Sequence, residues 1–173
     1  GALYVRRRNP RVNLTPLMHG GGQERGLRPG TLNVPAIAGF GEACRLAQLE
    51  RTAENLRVAE LRDRLWHNLQ TGLADIYLNG HPTKRLAGNL NVSFSGVPSG
   101  RLIGALSVLA VSTGAACASG AGQPSPVLQA IGVAPQLAAA SLRLGLGRFT
   151  TAEEIDFAAE KIIQAVTRLR EGH

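Results

Sequence analysis

Leu90-Asn91-Val92-Ser93-Phe94 decides the fold class. Apolar and polar residues alternate along it with a period of two. That places Leu90, Val92 and Phe94 on one face of a half-buried strand, with Asn91 and Ser93 on the other. Ser141-Leu142-Arg143-Leu144-Gly145-Leu146 reads as a second strand, residues 76–78 as a third and residues 110–113 as a short fourth. Helical patterns lie between and around them. Residues 35–48 carry Ala36, Ile37, Phe40, Ala43, Cys44 and Ala47 at helical spacing, and residues 52–73 carry Leu56, Ala59, Leu61, Leu65, Trp66 and Leu69. Cys44 lies on the first of these stripes and reads as a small buried hydrophobe. Ser99 is placed to cap a helix over 100–109, and a short helix is expected over 127–131. Thr151-Ala152-Glu153-Glu154 matches the capping-box pattern S/T-x-x-E and opens a C-terminal helix. Its apolar side is Ile155, Ala158, Ala159, Ile162, Ile163, Val166 and Leu169. Strands alternating with helices predict an α/β or α+β lobe.

The chain has 173 residues, of which 44% are hydrophobic and 18% charged, so a buried core is within reach and global disorder is excluded. No apolar run approaches the roughly 18 residues of a membrane span. Two cysteines exclude a disulfide framework and a four-cysteine zinc site, and unpaired thiols fit a reducing cytoplasm. The net charge is +7, yet only Lys84 and Lys161 of the 19 cations are lysines. Arg6, Arg7, Arg8 and Arg11 form one cluster, but aromatic residues are 4% of the chain and none interleaves with it. A base-stacking nucleic-acid surface is therefore poorly supported against a solvated or phosphate-facing basic loop. Gly1-Ala2-Leu3-Tyr4-Val5 reads as a strand already in progress, with no initiator Met and no apolar leader, so the chain is expected to continue a longer protein.

Three places could do chemistry. Cys117 sits among small residues in Ser112-Thr113-Gly114-Ala115-Ala116-Cys117-Ala118-Ser119-Gly120, the setting of an accessible thiol able to take a sulfur atom as a persulfide. Arg143 is a lone cation in an apolar strand. A buried arginine must be paired, so it makes either an internal salt bridge or a bidentate clamp for a substrate carboxylate; the scarcity of nearby Asp and Glu favours the clamp. Gly30-Thr31, at the entrance to a helix, could receive a phosphate, although Thr in such a place is common for purely structural reasons. The long Gly-rich loop 9–30 precedes it, as a flexible connector or a close-approach surface.

Taken together these motifs resemble one family. His19-Gly20-Gly21-Gly22-Gln23-Glu24-Arg25-Gly26-Leu27-Arg28-Pro29-Gly30-Thr31 resembles the H-G-G-G-x-E-x-G-x-R-x-G-T segment of cysteine desulfurases. Asn89 to Phe94 resembles their N-x-x-N-V/I-S-F strand, Val111 to Cys117 their catalytic-cysteine loop, and Ser141 to Thr151 their S-x-R-x-S/G-L-G-R-x-T/N-T segment. The resemblance implies a fold-type-I, pyridoxal-phosphate (PLP) enzyme of the class V aminotransferases, which converts L-cysteine to L-alanine. By position, Cys117 would take the sulfur, Arg143 would hold the substrate carboxylate, and Thr31 would contact the PLP phosphate of the other subunit of a homodimer. The length of the Cys117 loop resembles the group that serves iron–sulfur cluster assembly. The family's Schiff-base lysine, which follows a histidine, has no counterpart here: neither Lys84 nor Lys161 matches it. The chain is therefore expected to be the C-terminal portion of a desulfurase and inactive alone. Residues 1–55 would be the end of the large domain, and residues 56–173 the connecting helix and small domain. Alternatives are a selenocysteine lyase or another class V aminotransferase, and a non-catalytic sulfur-acceptor or scaffold module.

Overall fold

The computed structural model describes residues 1–113 and 125–172. The chain divides into two compact units, Gly1–Arg51 and Thr52–His173.

In the first unit, residues 1–33 form loops and short turns and the rest is helix. Gly30, at φ +92°, takes a left-handed turn that a side chain would strain. The expected strand over 1–5 is absent: these residues form no ladder and all but Val5 are exposed. β-forming residues make a strand only where a partner supplies hydrogen bonds. The helix α1 spans Val34–Gly72. The Asn33 side chain accepts from the Ala36 amide at 3.2 Å, and Pro35 sits in the first turn, where a missing N–H costs nothing.

Where the sequence predicts two helices, there is one of 39 residues. The polar run Gln48 to Thr52 holds no Gly or Pro to stop it, and its residues are mostly good helix formers. Cys44 is exposed, not buried. No residue of the first unit is buried at all.

The second unit has a three-stranded antiparallel sheet, β1 (Ile76–Leu78), β2 (Asn89–Phe94) and β3 (Ser141–Gly145), in the order β1-β2-β3. Its helices are the rest of α1, then α2 (Ser99–Ala105), α3 (Pro126–Ala130), α4 (Pro135–Ala138) and α5 (Ala152–Arg170). One face of the sheet carries Leu90, Val92, Phe94, Leu142 and Leu144 into a core. That core is closed by Leu65, Leu69 and Leu73 of and just after α1, by Leu102 of α2, and by Ile155, Ala159, Ile162 and Val166 of α5.

Both halves of the predicted capping box form at the start of α5. Ser99 does not cap α2 with its side chain; it is the first helical residue, after Pro98. Residues 110–113 form a single bridge, Ser112 to Arg143, in place of a strand. Gly88 meets β3's exit closely: a Cβ there would lie 2.1 Å from the Leu146 carbonyl oxygen, and the Gly88 carbonyl accepts from Leu146 N–H at 2.8 Å.

Arginines bracket the loops. Arg57 donates to the carbonyls of Thr150 (2.8 Å) and Arg148. Arg170 donates to those of Ala74 (2.8 Å), Asp75 (3.2 Å) and Ser95 (3.1 Å), and Arg85 to those of His81 and Asn79 (both 2.8 Å). No helix among the described residues is long and apolar enough to cross a membrane.

Candidate active site

β2 and β3 alternate as the sequence predicts, so the residues between the core leucines project from the opposite face. Arg143 is one of them, and it is exposed. The expectation of a buried arginine fails because the strand has only one covered face at this position. Leu142 and Leu144 take the core, and Arg143 takes the open side.

Backbone pairing then fixes what lies beside it. Arg143 gives its N–H to the Ser112 carbonyl (2.6 Å), and its own carbonyl accepts from Ser112 N–H (3.4 Å). Toward β2, Arg143 is opposite Asn91, whose carbonyl is turned the other way to accept from Asn79 N–H at 2.9 Å. Asn91 and Arg143 are thus a non-hydrogen-bonded antiparallel pair, the type in which Cα atoms approach to about 4.5 Å and side chains are nearest.

A cleft of about 310 Å³ opens over this pair. Arg143, Asn91, Asn79, Lys84, Thr113 and Ser125 line it, and Val127, Leu128 and Ile131, in and after α3, form an apolar side. The loop 79–85 that carries Lys84 is closed on itself: His81 Nδ1 accepts from the amides of Thr83 (3.1 Å) and Lys84 (2.9 Å), while Arg85 holds the carbonyls. A cleft with three cations (Lys84, Arg85 and Arg143), amides and hydroxyls is suited to a small anion with an apolar tail.

Arg143 lines the cleft. Cys117 lies outside the described residues; Thr113 and Ser125, which flank its segment, both line the cleft. Thr31 is exposed in the first unit. It stands three residues before α1 begins, so the capping role at that helix belongs to Asn33. Arg28 Nη1 donates to the carbonyls of Gly30 (3.0 Å) and Thr31 (2.9 Å), and Gly30 N–H is taken by Gln23 Oε1 (3.1 Å). Of the groups expected to receive a phosphate there, the Thr31 hydroxyl remains and the Gly30 amide is spent.

Sequence reasoning gave no role to Asn79, Asn91 and Lys84. Alternation was enough to put Asn91 on Arg143's side of the sheet, but not to pair the two, because register is set by contacts distant in sequence. Among the described residues no group of three His, Cys, Asp or Glu side chains is arranged to hold a metal ion.

Comparison with known proteins agrees with this architecture. The chain is 50% identical over 171 residues to cysteine desulfurase IscS of Ehrlichia chaffeensis and 53% identical to that of Pseudomonas aeruginosa. In both cases the match covers 99% of this chain, which spans 42% of the relative's length. A solved NifS-like protein superimposes with a TM-score of 0.77 at 32% identity, over 90% of this chain and 40% of that one. The mixed fold with its small antiparallel sheet is that of NifS-like enzymes over this stretch. The family model for class V aminotransferases matches residues 1–157, and the chain belongs to that family.

Proposed function

We propose that the protein carrying this chain is a cysteine desulfurase. The observation that carries the reading is the 50–53% identity, sustained over 171 residues, to proteins of that name. The balanced reaction is L-cysteine plus a Cys117 thiol giving L-alanine plus a Cys117 persulfide: the substrate C–S bond breaks, an S–S bond forms, and the carbon gains a proton. Arg143 binds the substrate carboxylate in a cleft whose apolar side helps exclude water. Thr113 and Ser125, which flank the Cys117 segment in sequence, line that cleft, which favours Cys117 as the receiving thiol.

The family implies PLP, which when bound supplies the electron sink for breaking the C–S bond. The fit of these residues to it is partial. The Thr31 hydroxyl and the basic Gly-rich loop suit its phosphate. A covalent anchor is another matter: Lys161 is occupied by Glu160 at 3.2 Å and lies 5.3 Å over the Phe157 ring, and Lys84 belongs to a loop with none of the family's His-Lys context. No step here is therefore routed through the cofactor.

In this reading residues 1–55 belong to the large domain and residues 56–173 are the connecting helix and the small one. The enzyme is a cytoplasmic homodimer that passes its sulfur to an acceptor such as an iron–sulfur scaffold protein. The test is the full-length polypeptide with PLP and L-cysteine. One alanine per sulfur transferred is expected, with a persulfide on Cys117 that Cys117→Ala abolishes. Absence of alanine, or an unchanged persulfide yield in Cys117→Ala, would sink the reading. The 173-residue chain alone is expected to be inactive.

A further inference from the structure

Beneath the cleft lies a buried polar cluster for which the proposed reaction gives no use. Asn79 is 7% exposed and Ser93 is fully buried, yet both are polar and both stand on the sheet's cleft side. Burying such groups is costly unless every polar atom finds a partner, so an arrangement of this kind is held in one geometry. The hydrogen bonds specify that geometry. Asn79 Nδ2 donates to Ser93 Oγ at 2.8 Å and to Asn91 Oδ1 at 2.7 Å, and Ser93 Oγ donates back to Asn79 Oδ1 at 3.2 Å. The Asn79 backbone is pinned as well, its N–H on the Asn91 carbonyl (2.9 Å) and its carbonyl on Arg85 Nη2 (2.8 Å).

The consequence falls on Asn91. Its Oδ1 is committed to Asn79, so its amide cannot flip without facing donor against donor. The other prong, Nδ2 with two hydrogens, is the one left for the cleft that Asn91 lines beside Arg143. An amide N–H pair next to a guanidinium presents two kinds of donor to one anion, and a carboxylate has about four acceptor positions, more than an arginine fork fills.

We infer that Asn91 is a second carboxylate-binding residue of this cleft, donating through Nδ2 to the substrate carboxylate that Arg143 clamps, with Asn79 the positioning residue that fixes its amide. The inference rests on Arg143 being that clamp, and the ligand class is an α-amino acid. Lys84 adds positive charge to the same cleft without the directional constraint.

The experiment uses the full-length holoenzyme and two matched probes: L-cysteine as substrate, and cysteamine, which is cysteine without its carboxylate, as competitive inhibitor. Asn91→Asp keeps the shape and the acceptor for Asn79 but replaces the donor by a negative charge. It should raise KM for L-cysteine at least about tenfold, the scale of a lost hydrogen bond to a charged group, while the cysteamine inhibition constant stays put. Asn91→Ala should act in the same direction with a smaller rise. Asn79→Asp removes the donor to Asn91 Oδ1 and should raise KM by about threefold with kcat unchanged. Arg143→Lys is the control for the underlying reading and should also raise KM for L-cysteine selectively. An unchanged KM in both Asn91 variants, with Arg143→Lys impaired, would overturn the inference alone. Equal losses for L-cysteine and cysteamine would mark a general structural defect and overturn it too. An unchanged KM in Arg143→Lys would overturn the clamp and the inference together.

Discussion

The two halves of α1 have the same backbone and opposite surroundings. In the C-terminal half, Val58, Leu65 and Leu69 are buried, and even Arg62 is 8% exposed. In the N-terminal half, Val34, Ile37, Phe40 and Leu49 are all exposed. Apolar spacing is present in both, so spacing alone records that a helix has a face to cover and not what covers it. The second unit covers its face with a sheet and α5. The first leaves Leu3, Tyr4, Leu17 and Met18 open as well. Residues 1–51 bury no side chain, and the buried core of the chain lies in the second unit.

The sharpest way to break this contrast is a truncation in the second unit. Leu69→Ala, at a fully buried side chain, should cost about 3 kcal/mol, read from urea unfolding of the 173-residue chain. Gly88→Ala should follow at about 2 kcal/mol, because the new methyl meets backbone oxygen that cannot rotate away. Thr151→Ala removes the side-chain half of the α5 capping box and should cost about 1 kcal/mol by the same measurement.

A smaller effect is set by pH. The Asp156 carboxyl is held below the ordinary carboxylate range, first by its hydrogen bond from Arg64 (2.8 Å), against a partial opposing effect of burial. A depressed carboxylate stabilises the fold above its ordinary titration range and loses that contribution as pH falls through the depressed value. Arg64→Ala should therefore lower stability at neutral pH and converge with the parent in acid, in unfolding midpoints measured across pH. The smallest effect is the counterpart of the first: Ile37→Ala should change stability by less than about 0.5 kcal/mol. A loss as large as that of Leu69→Ala would show that the first unit has a core of its own.

Local signals in the sequence were legible wherever neighbours in the chain decide the outcome. The alternation of β2 and β3 and the Thr151–Glu154 box are of this kind, and both stand in the structure. What failed depended on distant partners or on their absence. Residues 1–5 have β-forming side chains and no strand to pair with; Cys44 lies on an apolar stripe that nothing covers. The single long helix is not evident from apolar spacing, because the charged stretch around Glu50 and Arg51 interrupts the stripe while its residues still favour helix. Within the cleft, Arg143 was visible as an anomaly in its strand, while Asn91 and Asn79 gained meaning only from register.

The arginine brackets show one physical use of arginine over lysine in this chain. A backbone carbonyl takes a hydrogen bond without carrying a full negative charge, so the brackets at Arg57, Arg85 and Arg170 fasten the chain without themselves neutralising the cation. A planar fork can span two or three carbonyls, where an ammonium acts as a single point. Exchanging these arginines for lysines would keep the net charge of +7 and still undo the joints between loops and helices. At Arg57, Arg85 and Arg170, then, positive charge goes into fastening turns.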